Sequence, residues 1–587
     1  MRQRTVVSLS AERPPTPSTR WRNGRWVAAQ LLPERWLLAL FLVAAVGSNL
    51  AAAFVPLYTG RAFAAATAPA ATGAALWPVM LAVLGLVVAR FAAEGVSIGA
   101  VETVAQRLKR DSRDALYRSL LRKGQSFHDR QSIGDILSRT VNDGKLLDYM
   151  VGLGLPITVN GLLAIGLSIT LIALTDTRLL LAPAAIAIIF TVALWHHVRR
   201  VQPLSRDSRV AFAAFNQTVA DTLGGIATVK ALAVEDHERG KVAAAAEQYR
   251  RAFERRGRVQ AVYLPGLSFA VGMAIGVSQS LILYGAGQLA LHDVVTYLGW
   301  LALFGQAITA SEQAVPILQD GFVAAARVRE ITDAAGDEDG AIAGVEAAIV
   351  GSLTFDRVSL AIAGRDVLRE VSFHLPAGAT LAVTGPTGSG KSALVKLINR
   401  TYEASDGTIL IDGQDVGDWR LSALRRQIAT VHQDTFLFSK SVHENIAFGV
   451  REGASRSAVE TAAEQASARD FILALEGGYE TVLNEGGSTL SGGQRQRLGI
   501  ARALITEPSI LIMDDATSAL DATTAAAVSG HVRRHMAGRT TVVVTHEPQQ
   551  IGGADLILVL DAGRVVDLGS HADLRLRCGL YRELYAE

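Results

Sequence analysis

The sequence contains a single cysteine, Cys578, in a chain of 587 residues. One cysteine cannot form a disulfide within the chain, and it cannot supply a cysteine-based metal site. Because Cys578 lies in the part expected to face the cytosol, we expect a reduced, unreactive thiol. Charge is also scarce, since charged residues make up 19% of the chain and the formal net charge is +2. This balance favours no particular class of partner, and we predict no nucleic-acid partner.

The N-terminal residues lack the features of a secretory signal peptide. Residues 1–30 are instead rich in Arg, Pro, Ser and Thr. This composition is typical of a segment that cannot bury enough apolar surface to fold. We therefore predict a disordered tail over residues 1–30.

Apolar residues are abundant: they make up 50% of the chain, and the mean hydropathy is +0.27. Six apolar runs approach the roughly 20 residues that a helix needs to cross a bilayer. A buried helix of a soluble protein can resemble one such run, but not six. The sequence therefore predicts an all-α, six-helix transmembrane domain over residues 31–330, embedded in the lipid bilayer. The predicted spans are Trp36–Tyr58, Leu76–Ser97, Gly152–Leu174, Leu179–Val198, Tyr263–Leu283 and Val294–Leu318.

Lys and Arg concentrate in the N-terminal tail and after spans two and four, whereas the loops after spans one, three and five carry at most one each. Positive charge marks the cytosolic side, so this asymmetry predicts that both termini and the two long connections are cytosolic. The connections, residues 98–150 and 199–260, keep a helical apolar period, so we expect the membrane helices to extend beyond the bilayer. Each has one break, near Phe127 and Lys230, where a short helix could contact a soluble domain.

Composition changes after residue 330. Residues 331–347 include an acidic, Ala- and Gly-rich stretch and are predicted to be a linker. From residue 348 onward, short apolar strands alternate with helical stretches, which is the pattern of a nucleotide-binding α/β domain. We predict such a domain over residues 348–587, with strands at Ser352–Val358, Thr380–Thr384, Thr408–Ile411, Ile428–His432, Ile510–Met513, Thr540–Val544 and Leu556–Leu560.

A phosphate-binding loop of the pattern G-x-x-x-x-G-K-S follows the predicted strand Thr380–Thr384 and opens a helical stretch. Its glycines let backbone N–H groups turn towards phosphates at the positive end of a helix dipole. We expect Lys391 to reach the β- and γ-phosphates and the Ser392 hydroxyl to bind Mg²⁺, so ATP and Mg²⁺ are the predicted cofactors. The loop consists of Gly385, Pro386, Thr387, Gly388, Ser389, Gly390, Lys391 and Ser392.

Further motifs follow this loop in a fixed order: Gln433 at the end of a strand, Leu490–Gln494 reading LSGGQ, an apolar strand ending in Asp514 and Asp515, Ser518–Asp521 reading SALD, and His546 at the end of the next strand. This order resembles the ATP-binding cassette (ABC) transporter family. With the six preceding spans, the chain from about residue 30 resembles an exporter-type half-transporter, in which a membrane domain is fused to one cassette. The resemblance implies a multi-domain fold, with an all-α membrane domain followed by an α/β P-loop domain.

The resemblance also implies a role for each matching residue. Asp514 would hold Mg²⁺ together with Ser392 and Gln433. Gln433 would also contact the attacking water, and His546 would contact the γ-phosphate. In the family two cassettes pair head to tail, so the LSGGQ motif would complete the nucleotide site of a second half-transporter. The nucleotide-binding residues implied beyond the loop are Ile362, Ser491, Gly492, Gly493, Gln494 and Asp521.

Two positions depart from the family pattern. Asp515 stands where the family has the glutamate that polarises the attacking water. Its carboxylate would fall roughly 1 Å short, and a displacement of about 1 Å can cost around 10²-fold in rate. A shift of the backbone that lets Asp515 work is the alternative. Ile362 stands where the family has an aromatic ring on adenine, which removes a π contribution of about 1 kcal/mol.

We therefore predict an ATP-driven exporter half whose own nucleotide site is degenerate. The site binds ATP but hydrolyses it poorly, and its catalytic residues are Asp515, His546 and Gln433. An intact LSGGQ motif beside a slow site favours a heterodimer, because a homodimer would have two slow sites. Three alternatives stay open: an importer of a metal chelate or siderophore with an exporter-like fold, a homodimeric exporter with slow hydrolysis, and a nucleotide-sensing regulatory membrane subunit. We expect a bacterial cytoplasmic membrane location, and the sequence does not identify the substrate.

Polar residues within the spans are candidates for the transport pathway. Arg90 and Glu94 lie four residues apart on span two, so they share a helix face and can form an ion pair. They either face a cavity or extend towards the cytosolic interface. Gln279, Gln306, Glu312 and Gln313 either face a central pathway or bond between helices.

Overall fold

The computed structural model describes residues 17–67, 73–262, 265–334, 344–362, 364–450 and 453–585. It divides into two compact units. The N-terminal unit comprises Met1–Leu120 and Ile133–Ala334, and the C-terminal unit comprises Leu121–Ser132 and Ala335–Glu587. The short segment Leu121–Ser132 therefore belongs with the C-terminal unit, although it lies between helices of the N-terminal one.

The described part of the chain up to residue 334 consists of helices joined by short turns and contains no strand. Two π-helical turns, Arg139–Asp143 and Met150–Gly154, and two 3₁₀ turns, Leu32–Glu34 and Thr177–Leu180, join its α-helices. The α-helices are α1 (Pro17–Leu31), α2 (Arg35–Thr67), α3 (Gly73–Arg122), α4 (Gln125–Arg130), α5 (Ile133–Ser138), α6 (Gly144–Tyr149), α7 (Leu155–Thr175), α8 (Leu181–Gly224), α9 (Ile226–Leu232), α10 (Glu235–Val262), α11 (Pro265–Gly285) and α12 (Leu291–Thr332).

Five helical stretches of the described chain are long and apolar enough to cross a membrane. They are Arg22–Thr67, Leu76–Arg122, Ile133–Thr175, Thr177–Gly224 and Leu291–Thr332. The shorter apolar helix Phe269–Gly285 carries most of the predicted fifth span, whose first two residues, Tyr263 and Leu264, lie outside the described residues. Within the described residues, each of the six predicted spans thus falls on helical chain.

Helix α3 shows why these helices belong in a bilayer. None of its most apolar window is buried within the chain. Large side chains on it, such as Trp77, Val88 and Phe91, are 60–71% exposed. Apolar surface of this extent requires a partner or lipid to cover it. At 50 residues, α3 is about 75 Å long, which exceeds the roughly 30 Å hydrocarbon core.

The first part of the chain departs from the prediction of a disordered tail. Residues 1–16 lie outside the described residues, but Pro17–Leu31 forms α1, so the prediction is wrong for that part. Asn23 of α1 is buried: Arg329 of α12 donates to its side-chain oxygen at 3.0 Å, and its amide donates to the Phe322 carbonyl at 3.4 Å. These contacts with α12 order a polar segment whose composition alone indicates disorder.

The C-terminal unit contains two sheets. A four-stranded sheet has the order β2-β1-β4-β5, and a six-stranded sheet has the order β10-β9-β3-β8-β7-β6. In the larger sheet all neighbours are parallel except the pair β9–β10. The strands are β1 (Leu353–Ile362), β2 (Arg365–Leu375), β3 (Thr380–Thr384), β4 (Asp406–Ile411), β5 (Gln414–Asp415), β6 (Ile428–Val431), β7 (Ile510–Asp514), β8 (Thr540–Val544), β9 (Leu556–Asp561) and β10 (Arg564–Gly569).

Helices cover these sheets, and the parallel strands β3, β7 and β8 end beside the start of α13. The helices are α13 (Lys391–Ile398), α14 (Leu421–Gln427), α15 (Val442–Ile446), α16 (Arg456–Gln465), α17 (Arg469–Leu473), α18 (Gly492–Leu504), α19 (Ala522–His535), α20 (Pro548–Gly552), α21 (His571–Arg577) and α22 (Gly579–Leu584). Of the predicted linker, residues 335–343 lie outside the described residues.

Each of the seven predicted strands overlaps one of these, whereas β2, β5 and β10 were not predicted. In β2, a left-handed residue, Glu370 at φ 50°, and shifts of register against β1 break the alternation of apolar residues. Strand β5 has only two residues and β10 lies at the sheet edge with a polar sequence, so neither carries an apolar pattern.

Candidate functional site

A cavity of about 440 Å³ opens where the parallel strands of the larger sheet end. Ligands of open α/β sheets bind at such carboxyl ends. The phosphate loop forms one wall, and residues that follow β6, β7 and β8 form the others. The lining residues are Val367, Thr387, Gly388, Gly390, Lys391, Ser392, Ala393, Gln433, Asp514, Asp515, Val544 and His546.

The phosphate loop has a backbone that requires glycine. Gly385, Gly388 and Gly390 have φ values of 143°, 84° and 104°. A Cβ on Gly385 would lie 1.9 Å from the carbonyl oxygen of Leu560, so no other residue fits there. The loop therefore passes close to β9 before it turns into α13, whose first N–H groups have no acceptor within the helix.

Lys391 supplies the positive charge of this loop. Its ammonium group donates to the carbonyl oxygens of Gly385 at 2.8 Å and Pro386 at 2.9 Å. Burial lowers the pKa of Lys391, and the carboxylates of Asp515 and Asp514 act in the opposite direction. A cation at the start of a helix and beside the loop N–H groups is suited to bind the phosphates of a nucleotide.

Ser392 and Asp514 form a pair of oxygen ligands beside Lys391. The Ser392 hydroxyl donates to Asp514 Oδ1 at 2.9 Å, and Asp514 is only 4% exposed. Burial raises the pKa of Asp514, against the effect of the Ser392 hydrogen bond. A hydroxyl and a buried carboxylate side by side are ligands that Mg²⁺ takes when it is bound to a nucleotide, so these residues fit the predicted cofactors.

The three predicted catalytic residues meet in the same cavity. Gln433 Nε2 donates to Asp515 Oδ2 at 3.4 Å, and His546 lies on the same lining. Burial lowers the pKa of His546, as does Lys391, while Asp515 opposes them. Asp515 itself is half-buried and has a left-handed backbone at φ 51°. The structure thus brings Gln433, Asp515 and His546 together on one cavity.

The LSGGQ residues lie elsewhere. Ser491 and Gln494 form a reciprocal capping box at the start of α18, with Gln494 N donating to Ser491 Oγ at 3.3 Å and Ser491 N donating to Gln494 Oε1 at 2.9 Å. Gly492 and Gly493 form the first turn of that helix. None of these residues lines the phosphate-loop cavity of the described chain. Asp521 is also absent from that lining, and it caps α19 through Thr524 N at 2.9 Å.

Ile362 is another predicted site residue that is not among the residues lining this cavity. It ends β1, is half-buried and packs against the core of the sheet. It lines a different cavity of about 470 Å³, which also contains Asp129 of α4 and Tyr402. Val367 of the unpredicted strand β2 lines the nucleotide cavity instead, and it was missed because β2 was missed.

Gln496 is a second residue that sequence reasoning missed. It is 5% exposed on α18, where its side-chain oxygen accepts from Ala519 N at 3.0 Å and its amide donates to Ser518 Oγ at 3.3 Å. It therefore ties the LSGGQ helix to the SALD turn that follows Asp515. Its position two residues after Gln494 was visible in the sequence, but its burial was not.

Comparisons with known proteins agree with this architecture. Residues 38–308 match the profile of the ABC transporter transmembrane region, and residues 368–518 match that of the ABC transporter cassette. An ATP-dependent lipid A-core flippase of Aromatoleum aromaticum is 35% identical over 485 residues, covering 82% of this chain and 80% of its own length. An uncharacterized ABC transporter ATP-binding protein of Bacillus subtilis, YknU, is 33% identical over 494 residues, covering 81% and 82%.

A solved structure of a bacterial Atm1-family ABC exporter with ATP bound superposes with a TM-score of 0.82 at 27% identity, covering 95% of this chain and 98% of that one. The predicted fold class, a helical membrane domain followed by a nucleotide-binding domain with mixed sheets, is confirmed. With a membrane region and an ATP-binding cassette on one polypeptide, the chain belongs to the ABC transporter family as an exporter-type half-transporter, a multi-pass membrane protein that couples ATP to transport.

Proposed function

We propose that this half-transporter pairs with a second, different half, and that its own cassette binds ATP but turns it over slowly. The observation that carries the proposal is Asp515, which lines the nucleotide cavity directly after the buried Asp514. A general base must lie within hydrogen-bond reach of the water that it activates. An aspartate here reaches about 1 Å less far than a glutamate would, which is enough to cost around 10²-fold in rate.

A shift of the backbone would have to make up this distance, and the hydrogen bonds of Asp515 oppose one. Its N–H donates to the Val544 carbonyl at 2.9 Å, which fixes it to β8. Its carbonyl accepts from the Ser518 hydroxyl at 2.9 Å. The residue is therefore held on both sides, and the missing methylene is not recovered by a local movement without breaking a bond.

The remaining residues of the cavity keep what nucleotide binding needs. The loop N–H groups and Lys391 bind the phosphates, and Ser392 with Asp514 holds Mg²⁺. Gln433 and His546 orient water, and the lowered pKa of His546 keeps its imidazole neutral at physiological pH, so it can accept or donate a hydrogen bond. When bound, ATP and Mg²⁺ supply the phosphoryl-transfer chemistry.

The LSGGQ motif supports a different partner. Ser491 is exposed at the capped start of α18. A helix N-terminus of this kind can bind the phosphate oxygens of a nucleotide held by another subunit. In a homodimer both nucleotide sites would carry Asp515. A partner with a glutamate at the equivalent position would form one competent site with this intact motif, and Asp521 would contribute to the same interface.

We also propose the setting in which this pair works. The positive-inside pattern favours a cytosolic location for both termini. The bacterial relatives favour the inner membrane as the location of the chain. Two relatives are named ATP-dependent lipid A-core flippases, and these names indicate that they act on a lipid. This supports an amphipathic transported substrate for this chain.

The first test compares ATP hydrolysis by the purified full chain in lipid with that of Asp515→Glu. We expect slow turnover by the wild type and an increase of about 10²-fold in the variant. Lys391→Ala is the control, because it removes a phosphate ligand and should abolish hydrolysis in both backgrounds.

Brisk turnover by the wild type, with no gain in Asp515→Glu, would contradict the proposal of a degenerate site. A homodimeric exporter would then be the favoured alternative. A second test isolates the tagged chain from its native membrane. Co-purification of a second half-transporter that has glutamate directly after its equivalent of Asp514 is the expected result. Recovery of this chain alone would contradict the heterodimer.

A further inference from the structure

The N-terminal unit contains its own cavity, of about 500 Å³, between α2, α3, α7 and α12. Two of the described lining residues are charged, Arg90 and Glu94 of α3. Gln306 of α12 also lines the cavity. Of the other predicted pathway residues, Gln279 donates to the Arg178 carbonyl at 2.6 Å instead, and the side chain of Glu312 lies outside the described residues.

Arg90 and Glu94 form a loose pair. Arg90 Nε lies 4.0 Å from Glu94 Oε2, at the limit of an ion pair, and the two side chains are 42% and 46% exposed. Each charged group is therefore only partly neutralised by the other and is accessible from the cavity. Among the described lining residues only Arg90 and Glu94 are charged, so neither has an alternative partner of opposite sign there.

The rest of the lining is neutral. Asn49 Nδ2 donates to Asn160 Oδ1 at 2.7 Å and to the Ala45 carbonyl at 2.8 Å, so this amide pair crosses from α2 to α7. Small and branched apolar side chains, such as Ala164, Leu167 and Leu303, form the remaining wall. The cavity thus combines one positive group, one negative group, neutral amides and an apolar surface.

This combination selects by charge. An anionic headgroup that approached Arg90 would also meet the carboxylate of Glu94 about one helical turn away, and a cationic headgroup would meet Arg90 in the same way. A molecule that carries both signs can place its anion on the guanidinium and its cation on the carboxylate. Since charges in an apolar surrounding must be paired, only such a molecule leaves no charge without a partner.

We propose that this cavity recognises a zwitterionic amphiphile, with one anionic and one cationic group next to an apolar chain, through Arg90 and Glu94. The inference rests on the proposed export function, because it takes this cavity as the place where the transported molecule binds. It goes beyond that function by excluding amphiphiles whose charge is of one sign only as preferred substrates.

The test measures binding of three single-chain probes to the purified full chain in amphipol without nucleotide. Lysophosphatidylcholine is the zwitterion, lysophosphatidic acid the anion and sphingosine the cation. We expect the zwitterion to bind at least about tenfold more tightly than the other two. Glu94→Gln should move the preference to the anion by about tenfold, and Arg90→Gln should move it to the cation.

Two further variants keep the result interpretable. Asp114→Asn breaks another ion pair of α3, between Asp114 and Arg118 at 2.8 Å, that does not line the cavity, and it should leave the order of affinities unchanged. Exchange of the two charges, Arg90→Glu with Glu94→Arg, preserves the pair, so it should restore preference for the zwitterion even where a single variant fails to fold.

Equal or tighter binding of the purely anionic or the purely cationic probe by the wild type would overturn the proposal. So would an effect of Glu94→Gln no larger than that of Asp114→Asn, or a charge exchange that does not restore zwitterion binding. Because these measurements use no nucleotide, such a failure leaves the comparison of ATP hydrolysis untouched, and the two proposals fail separately.

Discussion

At the scale of the residue, Asp514 shows a conflict between function and stability. Its carboxylate is 4% exposed, and burial raises its pKa. A raised pKa in the folded chain means that the ionised form costs folding free energy above that pKa. This cost diminishes as the pH falls and the folded carboxylate takes up a proton before the unfolded one does. The proposed role of Asp514 as a ligand of Mg²⁺ gives a reason for keeping a destabilising charge at this position, because such a ligand must be ionised.

We expect Asp514→Asn to unfold at a higher temperature than the wild type at pH 7.5 in the absence of nucleotide. A gain of about 1 kcal/mol would raise the midpoint by about 2–4 °C. The difference should shrink as the pH is lowered, because the wild-type carboxylate then becomes neutral. The variant should also lose the part of its ATP affinity that depends on Mg²⁺, which is measured by titration with and without a chelator.

The control for this prediction is Asp561→Asn, which removes an exposed carboxylate at the end of β9. It should change neither the midpoint nor the Mg²⁺ dependence. A lower midpoint for Asp514→Asn at neutral pH would show that ionised Asp514 stabilises the cassette, contrary to the expectation.

At the scale of the element, α4 is the helix whose membership of one of the two units is least evident from its neighbours in the chain. It has six residues and follows the 50-residue α3, yet it belongs to the C-terminal unit. There the Tyr402 hydroxyl donates to Asp129 Oδ2 at 2.5 Å, and burial, together with Asp129, raises the pKa of Tyr402 to about 12. Phe127, the contact expected from the sequence, has its ring edge-on to His128.

We expect this hydrogen bond to hold α4 on the cassette, so Tyr402→Phe should free it. Loss of a bond worth about 1 kcal/mol corresponds to about a fivefold faster amide hydrogen exchange in Gln125–Arg130. The matched control is Tyr479→Phe, since the buried Tyr479 hydroxyl has no hydrogen-bond partner among the described residues. Unchanged exchange in Tyr402→Phe would show that other contacts hold the helix.

At the scale of the whole molecule, orientation in the membrane is a matter of where charge lies along the chain. Transport of Lys- and Arg-rich loops across a bilayer is disfavoured, so we expect the basic segments after spans two and four to stay in the cytosol. The α10 helix illustrates them: its Arg250 and Arg251 pair with Glu247 on an exposed face. The turn after α11 carries no such charge.

A cysteine-labelling experiment tests this orientation in a Cys578→Ser background. An impermeant maleimide should label Ala286→Cys, in the turn between α11 and α12, in intact spheroplasts. Ala243→Cys, on exposed α10 surface, should be labelled only after permeabilisation. The two positions control for each other, and the reverse pattern would contradict cytosolic termini.

The sequence alone determined which chemistry this protein carries and roughly where. Motifs such as the phosphate loop and LSGGQ can be recognised locally. The loop, for example, needs positive φ at Gly385 and Gly390, and glycine is the residue that adopts it without strain. Apolar runs of about 20 residues are likewise a local requirement of the bilayer. Helix α1 and strand β2 escaped prediction because contacts distant in sequence, such as Asn23 with Arg329, and an irregular register fix them.

Only the tertiary structure decided which side chains share a space. It placed Gln433, Asp515 and His546 on one cavity, put Ile362 on another, and opened a cavity to Arg90 and Glu94 together with Gln306 of a helix about 200 residues later. The physical reason is that a cavity is formed by elements far apart in the chain. The charges that line a cavity and the distances between them therefore depend on how these elements are arranged, and no single segment of the sequence determines them.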